Sequence, residues 1–216
     1  SPDPETMRTT LSLHRLPSRR PALPFALASL VLATLALAPA PATAQVVDPR
    51  IEAMLREVSS ERLHEYLSTL TGFQTRHSLS FSDRPDFGVL PARAYIHETL
   101  RSFSDRLRVE YDSYTAEPQG RIPEEAELCN VVATLPGRSE RRIYVSGHYD
   151  TVARIEASDP ASGGGGGGFD WTRFDNPAPG ANDDGSGTVL TMEAARVLAQ
   201  SGLEFDATLV FVAFVA

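Results

Sequence analysis

Lysine is absent from this 216-residue sequence, and all 20 of its basic residues are arginine. With the abundance of Ala, Gly and Pro, that absence marks a compositional bias rather than a function. Cysteine occurs once, as Cys129, which excludes an internal disulfide and a cysteine-based structural zinc site. Cys129 lies in a largely apolar run, which predicts a buried, inert thiol rather than a nucleophile. Positive charge is outweighed by 28 Asp and Glu, for a formal net charge of −8. No arginine cluster in the folded part resembles a phosphate-binding stripe. The balance argues for a solvated acidic surface and against nucleic acid as a partner. The hydrophobic share of 42% suffices for one good-sized domain with its own core.

The amino end carries an export pattern. Arg8, Arg15, Arg19 and Arg20 precede an uncharged stretch over 21–47, whose apolar heart runs from Phe25 to Leu37. Ala42-Thr43-Ala44 then gives a small-x-small cleavage pattern before Gln45. This is the order of a secretory signal peptide, so residues 1–44 are expected to be a leader that is removed. The product is expected to be exported, to the periplasm or outside the cell. A retained membrane anchor is the alternative, but the heart is short of the roughly 20 residues a span needs, and Pro39 and Pro41 interrupt its end.

Past the leader, helical and strand patterns alternate. Asp48-Pro49 reads as a cap and first turn, followed by Ile51, Met54, Leu55 and Val58 at helical spacing. A second helix starts near Ser59 or Ser60 and carries Leu63, Tyr66, Leu67 and Leu70. His64 falls off that stripe and is read as exposed. The polar stretch from Thr71 to Val89 reads as loop, and its His77 lacks an acidic neighbour at ligand spacing. A third helix is expected over about 91–107 with Tyr95, Ile96, Leu100 and Phe103 inward and His97 packing beside them. Strands are expected around Val109 and Tyr111, over Leu128–Leu135 and over Ile143–Ser146. Pro136-Gly137 and the charged Arg138 to Arg142 suggest a hairpin joining the last two. Thr188 to Gln200 reads as a helix with Leu190, Ala194, Val197 and Leu198 inward and Gly202 just past its end. Ala207 to Val215 is apolar on both faces, as a central strand is. The fold class expected is α/β: a three-layer sandwich with a mixed, largely buried central sheet flanked by helices, its binding groups at the strand ends.

Two segments carry chemistry. In Val145-Ser146-Gly147-His148-Tyr149-Asp150-Thr151-Val152, a His and an Asp stand two residues apart at a strand end. Neutral imidazole is a good zinc ligand, and a nearby carboxylate can orient it. In Ala178-Pro179-Gly180-Ala181-Asn182-Asp183-Asp184-Gly185-Ser186-Gly187, two adjacent carboxylates stand in a Gly-rich turn leading into a helix. One acid would serve as a helix cap; a cap does not require the second, nor the glycines. A carboxylate can also bridge two metal ions about 3.5–4 Å apart.

Together these motifs resemble the zinc exopeptidase family of bacterial leucyl aminopeptidase, aminopeptidase Y and glutamate carboxypeptidase, over roughly 130–216. The resemblance implies that His148 ligates one zinc, that Asp183 bridges two zinc ions, and that Asp150 is the supporting catalytic carboxylate that orients His148. It also implies a cis peptide between Asp183 and Asp184. The expected activity is hydrolysis of terminal peptide bonds in peptide substrates by a two-zinc-activated water, aminopeptidase ahead of carboxypeptidase. In that family a strand like Thr208–Ala216 runs into a Glu-Glu pair, one a general base and one a zinc ligand. Residues 45–216 are therefore expected to be the amino-terminal part of a catalytic domain, inactive until such a pair completes it.

Three rival readings share parts of this pattern. Deacetylases of the acetylornithine type carry an Asp-Met-Lys or Asp-x-Lys second motif, and glutaminyl cyclases lack Asn-Asp-Asp-Gly. A non-catalytic binding ectodomain on the same fold would tend to lose ligand positions, and His148 and Asp183 are both present. Between the motifs, Gly163–Gly168 reads as a flexible run. Phe169, Trp171 and Phe174 either tether this loop or line a substrate pocket, and Arg154 and Arg173 could meet a substrate carboxylate.

Overall fold

The helices start where capping chemistry dictates. A computed structural model of the chain describes residues 47–120, 122–153, 168 and 172–215. The expected leader, most of the glycine run, Phe169, Trp171 and Arg154 lie outside these. The Asp48 carboxylate accepts the Arg50 amide at 2.8 Å and opens helix α1, Pro49–Arg56, with Pro49 in its first turn. Ser59 Oγ accepts the Arg62 amide at 3.2 Å and opens α2, Ser60–Gly72. Helix α3, Val89–Phe103, starts earlier than the periodicity suggests, because Ser80 accepts the Val89 amide through both its hydroxyl and its carbonyl. Helix α4 spans Ser186–Gln200, and Gly202 just beyond it has φ +71°, the left-handed conformation a helix stop uses.

The strands are β1, Arg108–Ala116; β2, Ala126–Leu135; β3, Ser139–His148; and β4, Ala207–Phe214. They form a mixed sheet in the order β1-β2-β4-β3. β1 pairs antiparallel with β2, β2 antiparallel with β4, and β4 parallel with β3. The expected hairpin between β2 and β3 is therefore absent. β4 lies between them, and residues 138 and 139 donate their amides to the Phe205 and Asp206 carbonyls just before that strand. The charged run that looked like a turn is the irregular beginning of β3, with a register shift between Ser139 and Arg142.

The architecture is α/β with a mixed sheet, as expected; β2 and β4 are largely buried, whereas β1 and β3 are exposed over most of their length, because among the described residues the helices that contact the sheet lie on one side of it. β4 is central, and all of Leu209–Ala213 is buried. In the main core cluster Val131, Ala133 and Leu135 of β2 and Leu209, Phe211 and Ala213 of β4 join Ile96 and Leu100 of α3 and Met192 and Ala195 of α4. Helices α3 and α4 touch each other as well as the sheet, so both lie on one side of it. The inward face of α4 differs from the expected one. Val197 is buried and Ala194 and Leu198 pack partly, but Leu190 is 60% exposed, and Val189, Met192, Ala195 and Ala199 fill the centre of the face.

Helix α1 holds on without apolar burial: Ile51, Leu55 and Val58 stay exposed. Its junction with α2 is secured by a buried ion pair on α4 instead. Glu193 accepts from Arg196 at 2.7 Å and from the Ser59 amide at 2.9 Å, and the Arg196 guanidinium also donates to the Glu57 carbonyl. Cys129 is buried and unpaired by any disulfide, and His97 is buried with its ring stacked on Tyr111 at 4.2 Å. Among the described residues no helix is long and apolar enough to cross a membrane.

Candidate metal centre

Parallel pairing of β3 with β4 ends at His148 opposite Phe214, and this sheet edge is where the two motifs meet. Close approach of β3 to α4 brings them together. A Cβ built on Gly147 would lie 2.4 Å from the Gly187 carbonyl carbon, so only glycine lets the strand end reach the helix start. Thr188 Oγ1 then donates to the His148 carbonyl at 2.9 Å.

The adjacent acids have different jobs. Asp184 accepts the Gly187 amide at 3.0 Å through one oxygen and the His148 amide at 3.1 Å through the other. It caps α4 and fastens the end of β3 to it. Asp183 caps nothing: its side chain is 84% exposed, with Oδ1 at 3.1 Å from His148 Nε2. The peptide between the two acids is cis, as the resemblance implied.

On its other side the His148 ring meets Asp150. Nδ1 lies 3.2 Å from Asp150 Oδ1 and 3.2 Å from the Asp150 carbonyl. The Asp150 carboxylate is buried, and its second oxygen accepts the Ser78 hydroxyl at 2.5 Å. Hydrogen bonding to Asp150, with the Asp150 and Asp184 charges adding, holds the imidazole pKa up at about 9 against partial desolvation. Tyr149 between them turns inward, donating its hydroxyl to the Cys129 carbonyl at 2.7 Å, and burial pushes its phenol up. His148, Asp150 and Asp183, the three positions singled out from sequence, thus stand together.

Could a zinc ion sit here? Two donors about 2.1 Å from one tetrahedral zinc are separated by about 3.4 Å. The observed 3.1 Å between His148 Nε2 and Asp183 Oδ1 is within a few tenths of an ångström of that. Asp150 at Nδ1 supplies the carboxylate partner that zinc-bound imidazoles commonly have. The donor chemistry fits. Among the described residues no cluster of three or more His, Cys, Asp or Glu stands ready to hold a metal, so this pair is a partial shell.

The stretch read as a plain loop proves to be the inner support of the site. Thr75 pairs with Ala178 and His77 with Thr151, so residues 74–77 run between the segment after Asp150 and the segment before Asp183. Arg76 is fully buried there, and Ser78 reaches Asp150 from the same loop. His77 is buried too: its Nδ1 accepts the Leu79 amide at 3.1 Å, and its ring packs on Phe174 at 5.1 Å. Phe174 accordingly tethers its loop. No periodicity or spacing marked Arg76 or Ser78, because their partners are backbone carbonyls and a residue seventy positions away.

Residues 130–216 match the model of peptidase family M28. Over this segment the chain is similar to that family. The chain is 37% identical over 163 residues to a probable zinc metalloprotease of Pyricularia oryzae, covering 73% of this chain and 30% of that protein. A probable zinc metalloprotease of Leptosphaeria maculans is 35% identical over 159 residues, covering 71% and 33%. Leucine aminopeptidase 1 of the same fungus is 29% identical, covering 68% and 31%. The chain thus spans about a third of the length of the curated relatives it matches. Among solved structures, Fimbriiglobus ruber glutaminyl cyclase superposes with a TM-score of 0.54 at 18% identity, covering 73% of this chain and 45% of that one. A leucine aminopeptidase precursor from Bacteroides thetaiotaomicron gives a TM-score of 0.50 at 19% identity, covering 71% and 46%. These last two likenesses concern the fold.

Proposed function

We propose that this chain contributes the first half of the active site of an exported two-zinc exopeptidase, acting as an aminopeptidase on peptide substrates. The observation that carries this reading is the imidazole of His148 held between Asp150 at Nδ1 and Asp183 at Nε2. His148 Nε2 and the exposed Asp183 carboxylate would hold the zinc, Asp183 as the ligand shared between ions that the family resemblance implies. Asp150, fixed by Ser78, holds the imidazole in the orientation that aims Nε2 at the metal. Zinc, when bound, supplies an activated water and polarises the scissile carbonyl. Asp184 keeps the strand end and the acid-bearing turn in register without touching the metal. The names of the relatives support zinc and peptide hydrolysis; the count of two ions rests on the resemblance of the Asp183 motif to that of the zinc exopeptidases. Residues 1–44 act as the export leader.

The test is zinc binding and hydrolysis. Zinc content is measured on the protein that contains this chain, with His148→Ala and Asp183→Ala beside it, and turnover is followed with aminoacyl-nitroanilides. The wild type should carry two zinc ions and release nitroaniline, and each variant should lose at least one ion and the activity. The isolated 216-residue chain should bind zinc weakly and release none. Variants that keep full zinc content and turnover would overturn the assignment.

A further inference from the structure

We propose that Arg76 is a positioning residue that sets the span between His148 and Asp183. Its guanidinium is 0% exposed and uses four of its five N–H groups on carbonyls of three separate segments. Nε donates to Tyr149 at 2.6 Å, directly after His148. Nη1 donates to Pro179 at 2.7 Å and Nη2 to Gly180 at 3.0 Å, just before Asp183. Nη1 also donates to Leu70 at 3.0 Å, at the end of α2. The Arg76 backbone repeats the connection: its amide donates to Thr151 Oγ1 at 2.9 Å, and its carbonyl accepts the Thr151 amide at 2.9 Å.

A buried cation is costly unless its charge is used. Among the described residues no carboxylate reaches Arg76 at ion-pair distance; desolvation lowers its pKa to about 10, and the nearby Asp150 charge only partly opposes that. What this cation does is geometric. A planar fork reaches fixed points in a plane, and here those points belong to the two halves of the site. The approach is tight: a Cβ on Gly180, whose φ is +45°, would lie 2.3 Å from Thr151 Cγ2 and 3.3 Å from the Arg76 guanidinium. Arg76 touches neither of the two donors and acts only through the backbones that carry them.

This inference rests on the metal role proposed above for His148 and Asp183, but its test separates the two. Arg76→Gln keeps two donors and removes the buried charge; Arg76→Lys keeps the charge and removes the fork. Amide hydrogen exchange is followed without metal at His148, Thr151 and Gly185, with the β2–β4 ladder as internal reference, and zinc affinity is measured separately. Both variants should lose protection at those three amides by about tenfold or more while the ladder is retained. Zinc affinity per folded molecule should fall by about 10–100-fold. Wild-type exchange at the three amides in Arg76→Lys would overturn the proposal, since charge alone would then suffice. A loss of protection spread evenly over the ladder, with zinc affinity intact, would also overturn it and leave Arg76 an ordinary core residue. If neither variant folds, Thr151→Val removes one bond to the same clip; unchanged exchange at the three amides would count against the proposal, and a selective loss for it. A wild type that takes up no zinc would refute the metal reading, while the exchange result would still decide the role of Arg76.

Discussion

Replacing Asp184 by alanine should cost far more than an ordinary surface substitution. Two backbone amides depend on its carboxylate: Gly187 at 3.0 Å and His148 at 3.1 Å. Loss of a helix-capping acid costs about 1 kcal/mol. Stranding the partly buried His148 amide, which now bonds a charged acceptor, adds about 1.5–3 kcal/mol. The total, about 3 kcal/mol, should lower Tm by about 6–12 °C in a unit of this size. Asp184→Asn, which keeps one carbonyl oxygen, should cost about half as much. The assay is thermal unfolding of the chain in the presence of a chelator, so that metal does not contribute. A second arm uses Gly187, where a Cβ would lie 2.4 Å from both Asp184 carboxylate oxygens. Gly187→Ala should be more damaging beside Asp184 than in the Asp184→Ala background, where the collision is relieved. An Asp184→Ala protein within about 0.5 kcal/mol of wild type, or a Gly187→Ala cost identical in both backgrounds, would refute the account of this turn.

Two more outcomes are expected. Met192→Ala, in the core at 1% exposure, should lose about 2–4 kcal/mol in denaturant unfolding, whereas Leu190→Ser, at 60% exposure, should stay within about 0.5 kcal/mol. The metal-free His148 has its pKa raised from 6.5 to about 9, so its pairing stabilises the fold fully below about 6.5 and that contribution is lost as pH rises through about 9. Zinc must displace that proton, so calorimetry in buffers of differing ionisation enthalpy should show close to one proton released on zinc binding at pH 7; no release would contradict the pairing of His148 with Asp150 and Asp183.

How much of this was visible in the linear sequence depended on whether a feature was local. Caps at Asp48 and Ser59, the helix stop at Gly202 and the apolar β4 all declare themselves within a few residues. So do His148, Asp150 and Asp183, because strand-end and turn motifs keep chemically demanding residues close together. The order of strands is not local: nothing between Pro136 and Arg142 reports that β4 inserts beside β3. Helix α4 misled for a different reason. It has apolar residues around much of its circumference and a buried Glu193–Arg196 pair on a face that looks polar, so periodicity alone could not single out Met192 over Leu190. Arg76 was illegible, because an arginine that binds only carbonyls leaves no pairing signature in sequence.

The strand order also governs when this molecule can take shape as it leaves the ribosome. β1 and β2 pair with each other and can form a hairpin as soon as both have emerged. β3, synthesised next, pairs among the described residues only with β4, so that pairing must wait through the whole of the Asp183 turn and α4. During that interval the strand that ends in His148 is an unpaired edge, the kind of segment that invites wrong partners. Its first four residues are Ser139-Glu140-Arg141-Arg142, three of them charged and exposed. Those residues, which resembled a turn, give the waiting strand a soluble leading end until Ala207–Phe214 arrives and pairs with it, bringing His148 to the Asp183 turn.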